Sequence, residues 1–182
     1  MIFTNLTKKW RKKRHDRIYE GPYEDGAART NIDQSAPKEI ISSDLITFSC
    51  KYSTLAFVEE DTGLKCGVYY VGASLDKQSV ICTVDCSEGI DEGKKRTEVR
   101  PLSFLSDIDD IIKKYGVAAH NGCFHQVSAL PDFYGVEVEA EYTSGENISC
   151  SNNEDVFLPI EFLRELCQAF GVKNTEADAQ TR

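Results

Sequence analysis

Apolar and polar side chains alternate with a period of two in several short segments, which is the pattern of a strand that buries one face. The segment 135–143, GVEVEAEYT, places apolar residues at every second position, with Glu137, Glu139 and Glu141 between them. A row of glutamates on one face is typical of an antiparallel sheet that is covered on its other face only. The alternation therefore predicts a half-buried strand whose acidic side is turned to water.

Other segments have the composition of short antiparallel strands. Alternation over 44–53 predicts a strand that buries one face. Its inward residues are Ile46, Phe48, Cys50 and Tyr52. The segments 66–74 and 79–86 are separated by 75–78, a connection of hairpin length, and a short strand is expected at 97–100.

Two segments instead repeat their apolar residues at helical spacing. The first begins at Ser103, which is placed to cap the helix, and ends at Gly116. Its apolar stripe consists of Phe104, Leu105, Ile108, Ile111, Ile112 and Tyr115. The acidic cluster at 107–110 lies in its first half, where the helix dipole favours negative charge. A second helix is predicted to begin at Pro159, in its first turn, and to end at Gly171.

The order of these elements predicts the class of fold and a division of the chain. Hairpin-length connections without regular strand–helix alternation favour a two-layer α+β domain, in which a mostly antiparallel sheet carries two helices on one face. We expect a basic, amphipathic arm at 1–18, a flexible linker at 19–37, a single folded domain at 38–172 and a polar tail at 173–182. The linker prediction rests on Gly, Pro, Asp and Asn content and on scarce apolar residues.

The formal net charge is −9, yet basic residues are concentrated near one end of the chain. Seven of the 21 Lys and Arg residues lie at 8–17. The acidic remainder makes nucleic acid an unfavourable partner, because binding phosphates needs a positive face. The arm is suited to contact an anionic membrane surface or an acidic partner, and the alternative is a solvated tail. Its residues are Lys8, Lys9, Trp10, Arg11, Lys12, Lys13 and Arg14.

Seven cysteines are scattered along the chain without a CxxC pair. No apolar run has the length of a signal peptide or a membrane-spanning helix. These observations favour a reducing, cytoplasmic setting in which most cysteines act as small buried hydrophobes. A domain of this length needs no disulfide or metal to stabilise its core. No cofactor is expected.

Two of the three histidines lie in one hexapeptide, HNGCFH, which begins at His120. Its Asn121-Gly122 pair is a strong signal for a two-residue hairpin. Such a hairpin would place His120, Cys123 and His125 on one face. These side chains are suited to an open zinc site or to a Cys/His nucleophile pair. A turn without chemistry is favoured, because no second Cys/His cluster and no recognisable oxyanion hole accompany them.

The segment YTSGENI contains a tight turn that leads into a strand at 148–150. Backbone N–H groups of Ser144, Gly145 and Glu146 are candidates for holding a small anion or a peptide carboxylate. The alternative is a hairpin that needs glycine for its geometry alone. No P-loop, GxGxxG, GxSxG, HExxH or kinase motif occurs, so the usual sequence signatures of an enzyme are missing.

The segment 121–170 resembles a family of uncharacterised proteins from gut Clostridia and related bacteria. In that family an Asn-Gly turn leads to Val-Ser-x-Leu-Pro, a strand ending in Tyr-x-Ser-Gly-Glu, an Asn-rich turn and a closing helix. The matching residues are Asn121, Gly122, Val127, Ser128, Leu130, Pro131, Tyr142, Ser144, Gly145, Glu146, Asn152 and Asn153. The segment 37–53 is also similar. The resemblance implies a bacterial origin and no established activity. Other residue types stand at the position of Cys123, which argues against a catalytic role for it.

The sequence therefore favours a non-enzymatic binding domain. We expect it to bind a protein or peptide through the face or an edge of its sheet. The competing hypothesis is a small hydrolase or metal-dependent enzyme that uses His120, Cys123 and His125.

Overall fold

The computed structural model describes residues 27–57, 63–87, 90, 95–130 and 132–173. These residues form eight strands, two α-helices and a 3₁₀ turn. The strands are β1 (Ala28–Ile32), β2 (Leu45–Ser53), β3 (Val68–Asp76), β4 (Ser79–Val84), β5 (Arg96–Arg100), β6 (Cys123–Val127), β7 (Val136–Tyr142) and β8 (Asn147–Asn152). The helices are α1 (Ser103–Lys114) and α2 (Ile160–Phe170), and the 3₁₀ turn is Val117–His120.

All eight described strands belong to one sheet, in the order β1-β6-β8-β7-β2-β3-β4-β5. Neighbouring strands run antiparallel, except for the parallel pair β6–β8. Strands β2 to β5 form a meander, and β7 from the C-terminal half pairs with β2 at the centre. The predicted α+β class with a mostly antiparallel sheet is confirmed.

The core lies between one face of this sheet and the two helices. Alternate residues of β7 are buried there, namely Val136, Val138 and Ala140. The buried apolar residues of the helices are Phe104, Leu105, Ile108 and Ile112 on α1 and Phe162, Leu163, Leu166, Cys167 and Phe170 on α2. An edge-to-face contact between Phe104 and Phe170, with ring centroids 5.0 Å apart, joins the two helices. The predicted stripe of α1 is confirmed.

β2 departs from the predicted alternation in its first residues. A register shift at this end turns Leu45 into the core and leaves Ile46 only partly buried. Phe48, Cys50 and Tyr52 are buried as predicted. The prediction for Ile46 is wrong because a β-bulge changes which residues face the core, and a period of two does not reveal a bulge.

α1 differs from the prediction at its start and in the role of one acidic residue. Leu102 rather than Ser103 is the N-cap, and no side chain caps the helix. Asp109 is only 2% exposed, and its carboxylate accepts hydrogen bonds from Tyr142 Oη at 2.9 Å and Lys113 Nζ at 2.7 Å. Burial and the bond to Asp109 raise the pKa of Tyr142. Asp109 thus ties α1 to β7, and the helix dipole does not explain its position.

The ends of the helices follow glycine geometry. Gly116 and Gly171 adopt left-handed conformations, with φ of 60° and 63°, as their C-terminal positions predict. Pro159 is the N-cap of α2 and so lies one position before its predicted place. At the other end of α2, Arg96 Nη2 donates to the carbonyls of Phe170 at 2.6 Å and Gly171 at 2.9 Å.

β1 lies inside the segment that was predicted to be a flexible linker. Ala28–Ile32 pairs with β6 along its whole length, so the linker prediction is wrong for these residues. Four of its five residues are exposed, because the strand is at an edge of the sheet. It therefore lacks the alternation that marks a half-buried strand.

Several predicted features fall outside the described residues. They include the basic arm at 1–18, with Lys8 to Arg14, and all but the first residue of the tail at 173–182. The acidic loop residues 58–62 and 91–94 also lie outside. Among the residues that the structure does describe, no helix has the length and apolar character needed to cross a membrane.

Candidate functional site

The hexapeptide HNGCFH joins the 3₁₀ turn to β6. Asn121 has φ −55° and ψ 137°, and Gly122 has φ +75°. These values are typical of a type II turn, whereas the predicted hairpin needs positive φ at both residues. β6 pairs with β1 and β8, neither of which is joined to it through this turn. The hairpin prediction is therefore wrong.

Asn121 is a buried structural hub, with an exposure of 1%. Its Nδ2 donates to Pro37 O at 3.0 Å and Asn147 O at 2.7 Å, and its Oδ1 accepts from Ser149 N at 2.8 Å. These bonds fasten the segment before β2 and the start of β8 to the turn. The side chain that suggested a hairpin therefore holds three parts of the chain together.

The three candidate residues of the hexapeptide have different partners. The ring of His120 packs against Phe157, with centroids 4.8 Å apart, and burial, then the charge of Lys38, lowers the pKa of His120. Lys38 Nζ lies 3.7 Å from Cys123 Sγ and also donates to the Asn121 carbonyl. In the described part of the chain, no three His, Cys, Asp or Glu side chains form a group that could hold a metal ion. The structure therefore does not assemble the zinc site that was the alternative.

His125 instead links a hydroxyl group to a carboxylate. Its Nδ1 lies 2.8 Å from Thr30 Oγ1, and its Nε2 lies 2.9 Å from Glu154 Oε2. Thr30 is the cross-strand partner of His125 on β1, and Asn152 Oδ1 orders the turn by accepting from the backbone N–H of Glu154 at 2.9 Å. A carboxylate only accepts hydrogen bonds, so in the neutral imidazole Nε2 carries the proton and Nδ1 accepts from Thr30. This order of groups is the one that activates a hydroxyl nucleophile.

Sequence reasoning did not find Thr30, Glu154 or Lys38. Thr30 and His125 are 95 positions apart, and only the pairing of β1 with β6 brings them together. Glu154 lies in a polar turn, and its sequence context gives no reason to connect it with His125. The sequence indicated only His125 as a candidate, and it gave no indication of the residues to which His125 is hydrogen-bonded.

The turn at Ser144, Gly145 and Glu146 does bind an anion, but this anion is the carboxylate of Glu146 itself. The Glu146 carboxylate accepts from the N–H groups of Ile41 and Ser42, both at 3.0 Å, and from Ser144 Oγ at 2.9 Å. These donors, the Ile41 N–H first, lower the pKa of Glu146. Gly145 N donates to Tyr142 O at 3.0 Å, and Glu146 N donates to Ser144 Oγ at 3.2 Å. The turn therefore anchors the segment before β2, and its N–H groups at 145 and 146 have partners within the chain.

The face of the sheet opposite the helices, here called the open face, carries polar residues at its centre. Its central residues are Thr47, Ser49 and Lys51 on β2, Glu137, Glu139 and Glu141 on β7, and Asn147, Ser149 and Ser151 on β8. Lys51 lies opposite Glu137, and its ammonium lies 3.9 Å from the ring centroid of Phe133. Small polar residues flank the other two glutamates. The predicted row of glutamates opposite the helices is therefore present.

The two edges of the sheet differ in how they are held. β5 is fastened to the end of α2 through Arg96, and Val99 on it is 67% exposed. β1 is attached through β6, and Ile32 at its end is 57% exposed. Each edge strand presents one row of backbone groups that no described strand pairs with.

Comparisons with models of known families, with curated proteins and with solved structures gave no match. The resemblance to proteins of gut Clostridia therefore stays a prediction. Three features of this chain bear on function: the open face, the Thr30–His125–Glu154 chain of hydrogen bonds and the Lys38–Cys123 contact.

Proposed function

We propose that this domain is a non-enzymatic binding module that takes a basic protein or peptide segment on its open face. The observation that carries the proposal is the row of glutamates on β7, which lies at the centre of an eight-stranded sheet and faces away from both helices. A sheet that uses one face for its core leaves the other for solvent or for a partner.

The charge on the open face favours a basic partner. Glu139 lies between Ser49 and Ser149, and Glu141 lies between Thr47 and Asn147. These neighbours have short side chains, so a cationic segment that approaches along β7 meets a row of partly exposed carboxylates. The net charge of −9 adds long-range attraction and raises the association rate.

Charge reversal on the open face tests the proposal. The double variant Glu139→Lys/Glu141→Lys should weaken binding of a fluorescent lysine-rich peptide by about tenfold or more, measured by anisotropy at fixed salt. The matched control is Asp107→Lys/Asp110→Lys, which makes the same change of charge at exposed positions on α1. The proposal fails if the wild type does not bind the peptide, or if both double variants weaken binding equally.

A second candidate function rests on the hydrogen-bonded chain of Thr30, His125 and Glu154. In this candidate the domain is a small hydrolase: Thr30 Oγ1 attacks an ester carbonyl and His125 Nδ1 takes its proton, while Glu154 orients the imidazole through Nε2. His125 returns the proton to the alcohol as its C–O bond breaks, and a water that His125 deprotonates then releases the acid from the acyl-threonine. The alternative predicted from sequence shares His125 with this arrangement, but it does not contain Thr30 or Glu154.

Hydrolysis of an activated ester distinguishes the hydrolase from the non-enzymatic binding module. Hydrolysis of p-nitrophenyl acetate should fall to the buffer rate in Thr30→Ala and His125→Ala, while Thr30→Ser keeps measurable turnover. Thr97→Ala is the control, because Thr97 is an exposed threonine on the other edge strand. The hydrolase candidate is excluded if Thr30→Ala and Thr97→Ala hydrolyse the ester at the wild-type rate.

A further inference from the structure

Cys123 and Cys150 are neighbours on two adjacent strands. β6 and β8 run parallel, with Phe124 opposite Ser151 and His125 opposite Asn152. One step back in the same register, Cys123 lies beside Cys150. Adjacent strands are about 4.8 Å apart, which lies inside the Cα separation of about 4.4–6.8 Å found for disulfides.

The two thiols differ in their surroundings. Cys123 is partly exposed, and Lys38 Nζ, a proton donor, lies 3.7 Å from its sulfur. Cys150 is 1% exposed, and burial, followed by the proximity of Cys123, raises its pKa to about 12. An oxidant in solution therefore reaches Cys123 first, while Cys150 stays a protonated thiol behind it.

We propose that Cys123 is an oxidation site for hydroperoxides and that Cys150 resolves the oxidised form as a disulfide between β6 and β8. This inference is independent of the binding function proposed above. It uses two residues that face away from the glutamate row of the open face.

The chemistry needs one equivalent of peroxide and two steps. The Cys123 thiol loses its proton to solvent as its sulfur attacks one oxygen of the peroxide, the O–O bond breaks and an S–O bond forms. Lys38 lies where it can donate a proton to the leaving hydroxide, which departs as water, and Lys38 is then reprotonated from solvent. Cys150 then attacks the sulfur of the sulfenic acid; the S–O bond breaks, the S–S bond forms, and the Cys150 proton leaves with the hydroxyl as water. Sulfur loses two electrons in total, and the peroxide gains them.

A disulfide between Cys123 and Cys150 would link the β1–β6 pair to the rest of the sheet. β1 and β6 form a pair at one edge, and the ladder between β6 and β8 contains two residue pairs. A disulfide here would tie this pair covalently to the central strands. Oxidation should therefore stabilise the β1–β6 edge against opening.

The other cysteines make the assignment specific. Cys50, Cys82, Cys86 and Cys167 are buried, and Cys50 is separated from Cys150 by Val138 on β7. Cys66 is exposed and serves as the internal control for simple accessibility. If exposure alone decided reactivity, Cys66 would be oxidised before Cys123.

The experiment treats the reduced full-length chain with one equivalent of hydrogen peroxide. The remaining thiols are then alkylated with N-ethylmaleimide, and the chain is digested without reduction for mass spectrometry. We expect a peptide pair linked through Cys123 and Cys150. Cys66→Ser should leave this link unchanged, Cys150→Ser should stop at oxidised Cys123, and Lys38→Met should slow the oxidation several-fold.

Two results would overturn the proposal. One is a Cys150 that is still alkylated when a second equivalent of peroxide has oxidised Cys123 to sulfinate. The other is a Cys66 that reacts as fast as Cys123. Both results come from the wild-type chain, so a variant that fails to fold does not leave the proposal untested.

Discussion

Asn121 is important to the fold through its side chain, and not as the hairpin residue that the sequence predicts. The sequence singled out Asn121-Gly122 as a hairpin turn, and the structure has a type II turn in which the asparagine side chain is buried and bonded three times. Its partners, Pro37, Asn147 and Ser149, are remote in sequence. No local rule could supply them, because side-chain bonds across the fold depend on the strand order.

Removing the Asn121 amide should destabilise the domain strongly. Asn121→Ala leaves two carbonyls and one N–H without their partner, and we expect a loss of about 3 kcal/mol in the free energy of unfolding. Asn121→Asp keeps the acceptor for Ser149 N and loses both donor bonds. Urea denaturation measures both variants against Asn31→Ala, an exposed asparagine on β1. A loss in Asn121→Ala no larger than in Asn31→Ala would contradict this role.

The carboxyl group of Glu146 should make the free energy of unfolding depend on pH in the acidic range. Its donors lower the pKa of the folded carboxyl below the ordinary 4.5. The unfolded chain therefore binds the proton first as the pH falls. The stabilisation is fully present above pH 4.5 and is lost as the pH falls through the folded value.

Thermal unfolding between neutral pH and pH 3 measures this dependence. The melting temperature of Glu146→Gln should lie below that of the wild type at neutral pH, and the difference should shrink as the pH falls. Ser144→Ala removes one of the donors and should show a smaller effect in the same direction. A difference that grows towards low pH would show that the sign is wrong.

At the scale of elements, the period of the apolar residues identified those strands and helices that bury one side. β7 and α1 were predicted because their buried residues recur with one period. β6 was missed because all five of its residues are half-buried, and β1 was missed because nearly all are exposed. Neither β1 nor β6 alternates between buried and exposed residues, so periodicity cannot find these two strands.

The boundary between β7 and β8 should be intolerant of a single methyl group. A Cβ on Gly135 would lie 1.7 Å from the backbone O of Asn152, and the Gly135 carbonyl accepts from Ser53 N at 2.9 Å. Ser53 belongs to β2, so Gly135 is held on its other side and cannot shift away from Asn152 without distorting its pairing with β2. We expect Gly135→Ala to lower the free energy of unfolding by about 3 kcal/mol or more.

Gly145→Ala is the matched control for this effect. Its φ is +88°, and a Cβ there would meet nothing within 4 Å. Gly145→Ala should lower the free energy of unfolding by only about 1–2 kcal/mol, because the new side chain disfavours the left-handed backbone conformation. Urea denaturation of both variants decides the matter, and equal losses would rule out steric closeness of the strands at Gly135.

At the scale of the whole molecule, the sequence predicted the layers and could not predict the strand order. Alternation shows which side of a strand is buried, so it indicates one covered sheet with helices on one face. It does not show which strand pairs with which. The pairing of β1 with β6, which creates the Thr30–His125 contact, is for this reason absent from any local pattern.

Hydrogen exchange should follow the unequal attachment of the strands. The amides of β2 and β7, at the centre, should exchange most slowly, and those of β6 should exchange faster than those of β7. The reason is the short β6–β8 ladder, which allows the β1–β6 edge to open without global unfolding. Exchange measured by mass spectrometry on peptides tests the order. A β6 that is protected as long as β7 would refute it.

The pairing of β2 with β7 has a consequence for how the chain is made. At about 5–20 residues per second, the ribosome completes β7 roughly 5–20 s after β2, because paired residues such as Cys50 and Val138 lie ~90 positions apart. During that interval β2, β3, β4 and β5 can already form their meander, and β2 is its outer strand. β2, which lies at the centre of the finished sheet, is therefore an unpaired edge strand for the first seconds after its synthesis. During that time it can pair with other nascent chains on the same messenger RNA.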